Sequence, residues 1–592
     1  MPTVRILFTV FLLGSASASA AAARPNVLVM LADDQGIGDL SLHGNRNLST
    51  PNLDRLAGEG ARFSRFYVQP LCAPTRAEFL TGRWAGRGGV TGVTKGTERL
   101  DPEVPTIADA FREAGYATAM FGKWHNGTQA PYHPLCRGFE EFYGYTSGHW
   151  ADYYSPMLDH NGELTKGEGF LCDDLTDHAI DFIEQNEGTP FFVYVAFNTP
   201  HSPMQVPDRW WDRHADQELL DRGTEAKRED IPHTRAALAM VENIDWNVGR
   251  LLEALDRRGV ADDTIVVFLS DIGPKGHRLT GGLRGKKGSV DEGGTRSPLF
   301  VRFPGRIDAG VEVAAPAAAI DLAPTLTSLA GVTLPTTPAR DGVSLAEPLT
   351  GATDAWPERT LVTYHRRKAA TREGDFVLDE KGRLYDLAAD PGQTRDIASA
   401  RPEVVSRLTA ARDRWAADVG VPVGKGKQAD DGRPFTVGHR GLTTTQLPPR
   451  DALFSGTVSR NSKSANSTFV VDWDDTEDEI SWKVDVVEAG TFEATLLVTC
   501  PAEAVGSTVE LQLGEASVAG VVDVAFDPPL TARARDRAVA TEGDMKEFTP
   551  LTLGTIDLAA GRGRLTLRAT DVPGDAVADL RLLLLRRVGA GG

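Results

Sequence analysis

Three apolar runs in the first half of the chain stand out because they do not alternate with polar positions: Val27 to Ala32, Phe191 to Phe197 and Ile265 to Leu269. Runs of this length predict strands covered on both faces of a mostly parallel sheet. Val241, Ile244, Val248, Leu251, Leu252 and Leu255 recur at three- and four-residue spacing before Gly259. That spacing predicts an amphipathic helix with a glycine stop. Strands alternating with such helices predict an α/β fold with a sheet between helical layers. Each run also ends directly in polar residues: Ala32 into Asp33-Asp34, Phe197 into Asn198, Leu269 into Ser270-Asp271. Ligand sites of open α/β sheets lie at the carboxyl ends of strands, so separate segments are expected to deliver acids to one edge.

The pattern changes further on. Leu384 to Leu387 before Asp390-Pro391-Gly392 predicts a strand leaving through a turn, and Pro402 to Val419 a closing helix with proline in its first turn. Residues 421–435, rich in Gly, Lys, Asp and Pro, read as a linker. Beyond it, Ile480, Trp482, Val484 and Val486 alternate, as do Phe492 to Val498 and Val509 to Leu513, and Leu565, Leu567 and Leu582 to Leu585 follow. Short alternating strands predict an all-β sandwich over 436–592. The acidic run Asp472 to Glu479 reads as a solvated turn, with a structural calcium site as the alternative.

Composition narrows the possibilities. The 592 residues carry 41% hydrophobic and 24% charged side chains, ordinary globular usage. A net charge of −19 argues against a nucleic-acid binder, which needs a phosphate-neutralising surface. Arg5, the apolar run Ile6 to Leu13 and Ala18-Ser19-Ala20 predict a cleaved signal peptide over residues 1–20, and hence an exported, periplasmic or extracellular protein. The run is far shorter than the ~20 residues of a membrane span. Four cysteines are too few for a disulfide scaffold; Cys136 with Cys172 stays open as a pair.

Cys72-Ala73-Pro74-Thr75-Arg76, followed by Thr81-Gly82-Arg83, resembles the signature of the formylglycine-dependent sulfatases, members of the alkaline-phosphatase-like superfamily. The rest of that family's pattern follows in order: PNVLVMLADDQG over 25–36, Gly122-Lys123-Trp124-His125, Pro200-His201-Ser202-Pro203, Ser270-Asp271-Ile272-Gly273-Pro274 and Leu283 to Gly288. The resemblance covers roughly 24–420, including a smaller C-terminal subdomain at about 355–420. It implies an alkaline-phosphatase-like sheet and conversion of Cys72 to formylglycine by a maturation enzyme. A hydrated aldehyde carries two hydroxyls on one carbon: one attacks sulfur, and the other later expels sulfate as the carbonyl re-forms. Serine could not complete that second step.

The same resemblance implies a calcium ion held by Asp33, Asp34, Asp271 and position 72, hard oxygen donors suited to it. It further implies that Arg76 holds the hydrated aldehyde, that Lys123 and Lys287 neutralise sulfate oxygens, that His125 deprotonates the free hydroxyl, and that His201 serves the leaving alcohol. Arg284 is expected beside them in a local positive pocket. One position departs from the pattern: at the strand end that carries Asp271 the family usually has Asp-Asn or Asp-His, where this chain has Asp271-Ile272, and isoleucine offers no donor. Gln35, His277 or water are the alternatives for that place.

The aromatic segments His149 to Tyr154 and Trp210-Trp211 suit either sugar stacking or ordinary packing. The implied function is removal of sulfate from a sulfated carbohydrate or aryl ester. The alternatives are a phosphoester or phosphonate hydrolase of the same superfamily, and a catalytically degenerate carbohydrate-binding protein.

Overall fold

The computed structural model describes residues 24–426, 431–464, 468–538 and 541–589. The expected signal peptide over 1–20 lies outside the described residues, as does part of the expected linker. No helix among the described residues is long and apolar enough to cross a membrane.

A ten-stranded sheet organises the large α/β unit. Its strands in chain order are β1 (Asn26–Ala32), β2 (Ala61–Phe63), β3 (Ala117–Lys123), β4 (Glu141–Tyr145), β5 (Met157–His160), β6 (Glu163–Lys166), β7 (Phe191–Ala196), β8 (Thr264–Ser270), β9 (Leu299–Arg302) and β10 (Val311–Val313). Across the sheet they run β10-β2-β9-β8-β1-β7-β3-β4-β5-β6. The central five, β8-β1-β7-β3-β4, are parallel. Antiparallel pairs flank them at β9 on one side and at β5 and β6 on the other.

The unbroken apolar runs are explained by burial on both faces. Along β1, Leu28, Met30 and Ala32 join one core and Val27, Val29 and Leu31 the other. The first core is covered by α2 (Leu171–Gln185) and α3 (Ile231–Arg258), the second in part by α1 (Cys72–Thr81). Helix α3 starts at Asp230, whose carboxylate accepts from the His233 amide, and stops at Gly259 in the left-handed region at φ 67°.

A four-stranded antiparallel sheet follows (Leu361–His365, Lys368–Glu373, Phe376–Leu378, Leu384–Asp386), and helix Pro402–Val419 packs Val404 and Leu408 against Leu378 and Leu384. The carboxy-terminal region forms two six-stranded sheets around one core that includes Trp482, Leu496, Leu567 and Leu583. Arg450 of this sandwich reaches Glu98 and Thr128 of the α/β unit, each at 3.1 Å. Within the acidic run, Asp478 accepts from the backbone amides of Thr457, Asp474 and Asp475, as a turn requires.

All four cysteines are free, which settles the open pair. Cys172 is buried on α2 beside Thr199 and Asn247, while the Cys136 sulfur lies against Gly441 of the sandwich.

Candidate active site

The carboxyl ends of β8, β1, β7 and β3 form one edge, and the sequence places chemistry directly after each. Asp33 and Asp34 follow β1, Lys123 ends β3, Asp271 follows β8, and His201 lies in the loop after β7. The ladder continues past the strands: Asp33 N–H donates to Thr199 O at 3.0 Å and Asp271 N–H to Ala32 O at 3.0 Å. Gly122, at φ 114°, lets β3 approach β7 closely; a Cβ there would lie 2.0 Å from the Ala196 carbonyl oxygen. Lys123 is placed by that approach.

Cys72 opens α1 as its first residue, at the positive end of the helix dipole. Pro74 is tolerated because first-turn amides have no intrahelical acceptor. Gly82, at φ 67°, closes the helix with its N–H on Glu78 O at 2.8 Å, which explains the glycine of Thr81-Gly82-Arg83.

Ligand atoms of Asp33, Asp34, Cys72 and Asp271 all lie within 4.8 Å of one another, and all four residues are buried. Each acid has its own cation. Lys123 Nζ is 2.6 Å from Asp33 Oδ2, Lys287 Nζ 2.6 Å from Asp34 Oδ1, and Arg76 Nη2 2.8 Å from Asp271 Oδ2. Arg76 Nη1 also donates to Lys123 O at 2.5 Å, tying two pairs together. Lys287 is fixed by its N–H on Pro274 O, and the next residue by Gly288 N–H on Pro70 O, both at 3.0 Å. Three carboxylates against three cations leave the cluster near neutrality.

Burial, and next the Asp271 charge, push the Asp33 carboxyl up to about 7 despite Lys123. Burial and Asp271 likewise hold the Cys72 thiol protonated, an unreactive state for a cysteine nucleophile. Asp33 Oδ1 is buried without a hydrogen-bond partner. Three crowded buried carboxylates, one with an orphaned oxygen, fit a hard divalent cation. Asp34 at φ 68° and His125 at φ 66° are in the left-handed region, strain that a packed site sustains.

His125 Nε2 lies 3.0 Å from Val93 O, so it carries the proton, and Nδ1 is the basic nitrogen, buried without a partner. His201 Nδ1 lies 2.7 Å from Ser202 O, which leaves Nε2, 3.8 Å from Asp34 Oδ2, for chemistry. Burial, helped by Lys123, holds His125 well below its ordinary range; burial with Lys287 and Lys123 does the same for His201.

The structure thus brings Asp33, Asp34, Cys72, Arg76, Lys123, Asp271 and Lys287 into one cluster, with His201 against Asp34. Arg284 belongs elsewhere: it bonds the Tyr385 hydroxyl at 2.8 Å and Asp291 at 2.6 Å, holding the small subdomain in place. Ile272 is fully buried and donates nothing to the cluster. His277 is paired with Glu225 at 3.5 Å, whereas Gln35 is fully buried with neither amide atom partnered. Trp210 packs on Trp246 beneath Arg209 and Arg213, which is a packing role.

Of the expected aromatic segment, His149 does reach the site, and Lys275 and Glu542 are neighbours the sequence did not single out. His149 stacks on His201 with ring centroids 5.4 Å apart. Lys275 donates to Ser202 Oγ at 3.0 Å and meets Glu542 of the sandwich at 2.8 Å. Lys275 could have been found as the fourth residue after Asp271; nothing in the sequence pointed to Glu542.

A mixed sheet carrying these groups at one edge defines the alkaline-phosphatase-like class. Residues 25–332 match the sulfatase family model, and 286–411 match N-sulphoglucosamine sulphohydrolase, C-terminal. The chain belongs to the sulfatase family. It is similar to human arylsulfatase A, 30% identical over 67% of this chain and 89% of that protein. Mouse steryl-sulfatase is 32% identical over 55% of this chain and 65% of its own length, so the chain spans just under two thirds of that relative. Human N-acetylgalactosamine-6-sulfatase is 33% identical over 55% and 66%. Among solved structures, Ps i-CgsB in complex with k-i-k-neocarrahexaose superposes with a TM-score of 0.61 at 27% identity, covering 67% of this chain and 93% of that one.

Proposed function

We propose that this protein is a sulfuric ester hydrolase that removes sulfate from a sulfated carbohydrate. The observation that carries the reading is the buried convergence of Asp33, Asp34, Cys72 and Asp271, each acid matched by Arg76, Lys123 or Lys287. Calcium would be held by those three aspartates and position 72, where it would act as a Lewis acid. Oxidation of Cys72 to formylglycine by a maturation enzyme would supply the nucleophile. A divalent cation turns the near-neutral cluster into a local excess of positive charge, which an anionic ester then balances.

Lys123 and Lys287 neutralise the sulfate oxygens, and Arg76 keeps Asp271 and position 72 in register. His125 Nδ1 takes a proton from the hydroxyl at position 72. His201 donates from Nε2 to the leaving oxygen while its Nδ1–H stays on Ser202 O. Burial first, and then Lys287 and Lys123, hold His201 well below its ordinary range; a bound anionic ester offsets the lysines' share. Membership of the family and the resemblance to a carbohydrate-bound neighbour support the substrate class. Export is proposed from the leader pattern alone.

The test is release of inorganic sulfate or phosphate by the matured protein, from sulfated glycans and from paired aryl sulfate and phosphate esters. Sulfate release is expected. Preferential phosphate release would make it a phosphoester hydrolase, and glycan retention without turnover a binding protein.

A further inference from the structure

The β-sandwich reaches into the rim of this site. Met204 N–H donates to Asp536 Oδ1 at 2.6 Å and Arg537 N–H donates to Met204 O at 2.9 Å, a two-way clamp three residues from His201. Arg535 bonds both oxygens of Asp152 at 3.1 Å and lies over the Tyr154 ring. Ala538 is buried in the core of the α/β unit, not in that of the sandwich. Gly543 lies close enough to Pro203 that an added Cβ would stand 3.5 Å from its ring.

This docking brings the Glu542 carboxylate onto Lys275 Nζ, with both oxygens within 2.9 Å. The same ammonium donates to Ser202 Oγ, next to His201. Through Lys275 the pair thus meets the chain one residue along from His201, whose ring also stacks on His149. Glu542 remains 21% and Lys275 35% exposed, so the pair is within reach of solvent. Burial would raise the Glu542 carboxyl, but Lys275 and His149 outweigh it and hold it ionised, at about 2.

We propose that Glu542 is a specificity-determining residue that, with Lys275, binds the hydroxyl groups of a sugar on the leaving-group side; this rests on the sulfatase reading. A carboxylate only accepts hydrogen bonds and an ammonium only donates them. A vicinal diol does both, and replaces the water on each group without leaving either unpaired. An apolar sterol or a bare aryl ring would cover the pair and leave it desolvated without compensation. The accessory domain thereby selects for polyhydroxylated leaving groups.

The experiment measures sulfate release by the full matured chain from a panel of monosaccharide sulfates and from 4-nitrophenyl sulfate, for wild type, Glu542→Gln, Glu542→Ala and Arg535→Ala. Expected is at least a tenfold fall in the sugar-to-aryl ratio of kcat/KM for Glu542→Ala, carried by KM, with Glu542→Gln between. Arg535→Ala, which loosens docking at Asp152 but leaves Glu542 and Lys275 in place, leaves the ratio within twofold. A ratio unchanged in Glu542→Ala, or one falling equally in Arg535→Ala, overturns the assignment while sulfate release stands. Wild type that releases no sulfate from any ester removes the sulfatase reading, and this inference with it.

Discussion

Arg76 and Asp271 hold one another 2.8 Å apart with neither side chain exposed to solvent. Truncating one partner of such a pair leaves an uncompensated buried charge, at a cost of about 3–5 kcal/mol. Arg76→Ala is therefore expected to lower stability by that order and abolish sulfate release, read by denaturant unfolding alongside activity. Arg76→Lys keeps the charge but loses the bond to Lys123 O, so it should fold better than the alanine variant and stay inactive.

Calcium binding gives a second expectation. Asp33→Asn removes one of three buried carboxylates and should weaken calcium affinity at least tenfold, measured by calorimetry on the full chain. Ile272→Asn adds an oxygen donor where the family usually has one, and should strengthen it. Equal affinities in wild type and Ile272→Asn would show that the isoleucine costs the site nothing.

His201 should matter in proportion to how badly the leaving group needs a proton. His201→Ala is expected to slow release from alkyl and sugar sulfates by roughly 10²–10³. Release from 4-nitrophenyl sulfate, whose phenolate leaves unaided, should slow far less. Equal losses on both would assign His201 to binding instead.

Docking of the sandwich segment should depend on pH. Burial pushes Asp536 up from its ordinary 3.8 to about 7, against the Met204 amide and with help from Glu542. A raised acid contributes stability that is complete below 3.8 and lost as pH rises to about 7. Glu542, lowered from 4.5 to about 2, contributes above 4.5 and loses it toward acid. Amide exchange across 531–538, corrected for intrinsic rates, should therefore be slower at pH 5.0 than at pH 7.5. Asp536→Asn should erase the difference; slower exchange at pH 7.5 in wild type would contradict the sign.

Much of this was legible because the central strands are buried on both faces. Apolar runs such as Val27–Ala32 have one structural use, and the residues after them inherit the sheet's functional edge. The cations were legible only through motifs, since nothing in the spacing of Lys123 and Lys287 pairs them with Asp33 and Asp34. Arg284 misled because its motif position says nothing of Tyr385 and Asp291, which claim it. Glu542 was unreadable because its contact with Lys275 spans 267 positions and two domains, and no local periodicity encodes that.

Position 72 carries the central claim. Mass spectrometry of the peptide containing it, on preparations matured to different extents, can be set against their rates of sulfate release. The rate is expected to rise in proportion to the fraction of Cys72 converted to the aldehyde and to vanish with the intact thiol. Full activity in a preparation whose Cys72 remains a thiol would contradict it.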